Sequence, residues 1–117
     1  MSVVIDCEGQ EILRLSNSLF GLLHRTIISV IEEKQLKISD ELKLLLNKTD
    51  QDNCGPGSFS PDLDKFLKNK DEVLLFADLV DEAIKLKYDN FNQFIGCIDH
   101  LNNFHNELLK YAEDLRN

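Results

Sequence analysis

The chain is short of most features that would tie a sequence to a chemistry. Its three cysteines, Cys7, Cys54 and Cys97, are odd in number and widely spaced, with no CxxC pair. That spacing excludes a disulfide framework or a structural zinc site and predicts reduced thiols. MSVVIDCEG lacks the basic region and long apolar run of a signal peptide. No segment approaches the roughly 18 apolar residues that a membrane span needs. The expectation is a soluble, cytoplasmic protein. Basic residues are outnumbered, 13 against 21 acidic, giving a net charge of −8. Neutralising phosphates requires a basic patch, so this balance disfavours nucleic acid and anionic membrane surfaces and favours basic protein partners or mere solubility.

What remains is the composition of an ordinary globular domain. With 117 residues, 43% hydrophobic and 29% charged, the chain is long enough for one core without covalent staples and too apolar to stay disordered. We read residues 1–117 as a single domain.

Periodicity predicts helices. MSVVID is β-branched and reads as an extended lead-in or a brief strand. From about Glu8 to Glu33, Ile12, Leu15, Leu19, Leu23, Ile27 and Val30 recur at intervals of three and four, the pattern of one long helix with a buried face. Gly9 and Gly21 weaken it without breaking the period. ISDELKLLLN reads as a short second helix capped by Ser39, with Asp40 and Glu41 in its first turn. NKTDQDNCGPGSFS, with Gly-Pro-Gly at 55–57, cannot continue a helix and marks one long loop near residues 47–60.

Ser60-Pro61-Asp62 restarts the chain as a third helix, with serine as cap and proline preset for the first helical position. Residues 71–87 form a fourth, with Val73, Phe76, Ala77, Val80 and Ile84 inward. The last spans about Asp89 to Leu115, where Phe91, Phe94, Ile98, Leu101, His105, Leu108, Ala112 and Leu115 make a heptad-like seam. The expected fold class is all-α: a compact bundle of four to five helices.

Candidate sites can then be tested by geometry. FIGCIDHLNNFHNELL sets out Cys97, Asp99, His100 and His105 within nine positions. At about 100° per residue, His100 and His105 diverge by about 140° and Cys97 and Asp99 by about 160°. They form no site on one helix, and a zinc-binding histidine pair wants an offset of four rather than five. His105 sits on the seam, while Asp99 and His100 face solvent. Asp50 and Asp52 before Gly55 resemble the start of a calcium loop, but Cys54 and Pro61 occupy two ligand positions. No arginine precedes a histidine at the distance used by helical ribonucleases with an Arg-x4–6-His motif. No metal or cofactor is expected.

The carboxylates are the feature left. Asp71, Asp78 and Glu82, with Asp81 beside them, place an acidic stripe opposite the apolar face of the fourth helix. Tyr88 at the end of that helix is a plausible anchor for a partner, and Lys85 is placed to pair with Asp81 or Glu82.

An acidic single domain with a carboxylate-rich face around SPDLDKFLKNKDEVLLFADLVDEAI resembles the immunity proteins of bacterial contact-dependent inhibition and related polymorphic toxin systems. The resemblance spans the chain in general character and implies a non-enzymatic protein that binds and neutralises a cognate basic toxin, commonly a nuclease. Asp71, Asp78, Asp81 and Glu82 would then mimic phosphates, with Asp50 and Asp52 adding a mobile arm. Two alternatives belong to other classes. One is a small metal-dependent hydrolase of the all-α nucleotide pyrophosphatase type, using the i, i+3 pairs Glu8 with Glu11 and Asp78 with Asp81. The other is a helical adaptor or homodimer without an enzymatic partner.

Overall fold

The computed structural model describes residues 2–49, 62–91 and 98–115. It opens with a β-hairpin. Strands β1 (Ser2–Cys7) and β2 (Gln10–Ser16) pair antiparallel, joined by Glu8 at φ +52° and Gly9 at φ +81°. A two-residue loop with both residues left-handed is the turn whose twist matches the flanking strands, and glycine at its second position supplies one positive φ at no steric cost. Val3 faces Leu15 and Ile5 faces Leu13, but Asp6 faces Glu11. Ile12 is therefore the extra residue of a bulge, which bends β2 and tightens its twist.

The hairpin overturns the expected all-α class: the protein is mainly helical with a small two-stranded sheet. It also overturns a first helix beginning at Glu8. Ile12, Leu15 and Leu19 do fall at helical intervals, but so do residues that alternate. Leu13 and Leu15 are buried while Arg14 and Ser16 are exposed, the period-two pattern of a half-buried strand. Gly9, read as a flaw in a helix, is the turn. Of the two readings open for MSVVID, an extended lead-in or a brief strand, the structure shows a strand over Ser2–Cys7.

The switch to helix occurs at Ser16, whose Oγ accepts the Leu19 N–H at 3.3 Å and caps α1 (Asn17–Lys34). Gln35, at φ +52°, ends α1. Its N–H donates to Glu32 O at 3.2 Å, and the Leu36 N–H donates to Ile31 O at 3.0 Å. These two bonds define a Schellman closure with glutamine where glycine is usual. Helix α2 (Asp40–Thr49) follows, with Ser39 Oγ accepting the Leu42 N–H at 3.1 Å as expected.

Helix α3 (Leu63–Phe66) is one turn, with Asp62 at its N-cap position. Ser60 and Pro61, expected to start it, lie outside the described residues, as does the expected loop beyond Thr49. Asn69 Oδ1 accepts the Asp71 N–H at 2.8 Å and opens α4 (Lys70–Phe91). Helix α5 spans Ile98–Asp114. Residues 89–91, assigned from the sequence to the last helix, thus belong to α4.

Helix α4 packs against both α1 and α5, and the hairpin rests on α1, α3 and α5. The core combines Val3, Ile5, Leu13 and Leu15 of the hairpin with Phe20, Leu23 and Ile27 of α1 and Leu101, Phe104 and Leu108 of α5. The inward face expected of α4, Val73, Phe76, Ala77, Val80 and Ile84, is buried throughout. On α5 the expected seam residues Leu101, Leu108 and Ala112 are buried, but Phe104 takes the place expected of His105. Phe104 is fully buried and meets Phe76 edge-on, ring centroids 6.1 Å apart at 81°, whereas His105 is only half-buried. Both positions lie within a turn of Leu101, and the phenyl ring can be buried without the partner an imidazole requires.

Candidate functional site

The outer face of α4 carries the expected carboxylates, and the structure divides them. Asp71, Asp78 and Glu82 fall within about 40° of one line along the helix, with Asp81 about 80° from Asp71. Asp71 and Asp78 are exposed, and among the described residues neither pairs with a cation. Asp81 and Glu82 are each partnered. Lys85 Nζ lies 2.9 Å from Asp81 Oδ2, an i, i+4 pair, and its hydrogen bond to Asp81 raises the lysine above its ordinary value. Lys34 Nζ reaches from the end of α1 to Glu82 Oε1 at 2.5 Å.

This last pair spans a groove of about 390 Å³ between α1 and α4, lined by Val30, Glu33, Lys34, Glu82 and Lys85. Half-buried Leu74 and Leu75 straddle the acidic line between Asp71 and Asp78. Tyr88 belongs to α4, but its side chain lies outside the described residues, as do Asp50, Asp52, Cys54 and Cys97.

Of the two pairs proposed for a metal-dependent hydrolase, Asp78 and Asp81 share α4 as expected, whereas Glu8 and Glu11 do not share a helix. Glu8 sits in the hairpin turn. Glu11 is on β2, where its Oε1 accepts from Arg14 Nη2 at 2.6 Å and Nε at 3.0 Å. Among the described residues no three or more histidine, cysteine, aspartate or glutamate side chains come together as a metal site.

The histidines separate in the same way. His100 is exposed and His105 half-buried, while His24 on α1 is buried, its Nε2 2.9 Å from Leu46 O. A carbonyl can only accept, so Nε2 carries the proton, and the imidazole ties α1 to the last turn of α2.

A second acidic region, absent from the sequence reading, surrounds the hairpin turn. Asp64 of α3 accepts the Glu8 N–H at 3.1 Å, and Asp6 bridges Asp62 in parallel. Between this turn and α5 runs a groove of about 380 Å³, with Glu8, Glu107 and Asp114 around Ile12 and Tyr111. Lys110 partly offsets it, 3.4 Å from Glu107.

The field is felt beneath. Burial first, then the carboxylates of Asp64, Glu8 and Glu107, push the Cys7 thiol up to about 12. Burial, then Cys7, Asp64 and Glu8, push Tyr111 up to about 12. A thiol held neutral this firmly is no nucleophile at neutral pH. The Tyr111 hydroxyl instead donates to Leu67 O at 2.9 Å. Three segments distant in the chain meet here, and no local motif announces them.

No described helix is long and apolar enough to cross a membrane. Compared with protein-family models, curated proteins and solved structures, the chain matches none, which leaves its own surface as the ground for a functional reading.

Proposed function

We propose that this chain is an acidic protein-binding module that docks a basic protein through the outer face of α4, in the manner of an immunity protein neutralising a cognate toxin. The observation that carries the reading is the pair Asp71 and Asp78. Both are exposed, neither meets a cation among the described residues, and seven helical positions separate them by about 10 Å along the axis. With a net charge of −8 behind them, they attract a cationic surface at a distance and set its register on contact. Leu74 and Leu75 between them offer the apolar area from which affinity is drawn. A nuclease must present positive charge to phosphate, and such a surface complements this face.

Asp81 and Glu82 contribute differently. Each already holds a lysine, so a partner would have to displace Lys85 or Lys34 to use them. The contact therefore centres on Asp71 and Asp78, with Asp81 and Glu82 at its edge.

The test begins with affinity capture of the partner and its identification by mass spectrometry, followed by calorimetric titration of that partner. A basic protein is expected, with affinity falling as salt rises. Asp71→Asn with Asp78→Asn should weaken binding roughly fivefold to thirtyfold, the range for two partly desolvated charge pairs. A partner whose affinity ignores both salt and these substitutions would refute the proposal.

A further inference from the structure

We draw no further inference here: the strongest candidate, the groove between the hairpin turn and α5 where Glu8, Glu107 and Asp114 surround Ile12 and Tyr111, is an acidic cluster over an apolar floor, and nothing in the structure shows what covers it.

Discussion

Replacing Phe104 and His105 separately by alanine tests the packing of α5. Phe104 is fully buried against Phe76, and truncating such a ring removes both its transfer free energy and the contacts around the space it leaves. The cost for Phe104→Ala is about 3–5 kcal/mol, of which the edge-on pairing accounts for about 1. For a chain of this length that lowers the melting temperature by roughly 10–20 °C. Because small domains hold only about 5–15 kcal/mol in total, Phe104→Leu, at about 1–1.5 kcal/mol, supplies a variant that stays folded. His105 is half-buried, with no hydrogen bond among the described residues. His105→Ala should shift stability by less than about 1 kcal/mol, helped by alanine's better helix propensity. Urea unfolding followed by circular dichroism measures all three. Had His105 occupied the seam, the order would reverse; a loss for His105→Ala equal to that for Phe104→Ala would refute the placement of Phe104, rather than His105, in the core.

Other positions give sharper, smaller effects. Gly9→Ala should cost about 1 kcal/mol from backbone strain alone, since a Cβ there would touch nothing within 4 Å; Glu8→Asn should stabilise the same turn. Gln35→Gly should stabilise by about 0.5–1 kcal/mol by relieving the left-handed strain at the end of α1, and thermal melts will show either sign. Tyr111→Phe strips the buried Leu67 carbonyl of its donor and should cost about 1–3 kcal/mol. Alkaline pH should also destabilise the protein. Cys7 and Tyr111 have folded values near 12, above ordinary values of 9.0 and 10.0. Above those ordinary values the unfolded chain loses protons that the folded chain keeps, so stability present below about pH 9 is lost as pH rises towards 12. Denaturation midpoints measured from pH 8 to 11.5 should fall, and less steeply in Tyr111→Phe; a flat profile would contradict the burial of both groups.

The helices were legible wherever the apolar period ran uninterrupted. Val73 to Ile84 fixed the inner face of α4, and Ser39 its expected role as a cap for α2. The hairpin is hidden in the sequence because Ile12, Leu15 and Leu19 satisfy a helical interval across a boundary, while Leu13, buried in β2, does not. A Glu-Gly pair between two β-branched or leucine-rich runs was the available signal, weaker than Asn-Gly because glutamate seldom takes a positive φ. On α5 the interval of three or four admits either Phe104 or His105, and the chemistry of burial decides between them. The acidic line of α4 followed from spacing alone. Its division into carboxylates with and without a cation among the described residues did not, because the Lys34 to Glu82 contact joins residues 48 positions apart.

The one-turn helix α3 is too short to hold itself. Its bond to Glu8 spans 56 residues, and the bond that the carbonyl of Leu67, just past its end, accepts from Tyr111 spans 44, so both closures bear a large loop entropy before they return any stabilisation. Contacts that distant in sequence slow folding, because loop entropy must be met before they reward it. The hairpin and the α4–α5 pair are built from nearer neighbours, so α3 is expected to be the clasp that shuts last. In hydrogen exchange the amides of residues 62–67 should accordingly open more often than those of α4, and the acidic region they complete would exist only in the fully closed protein.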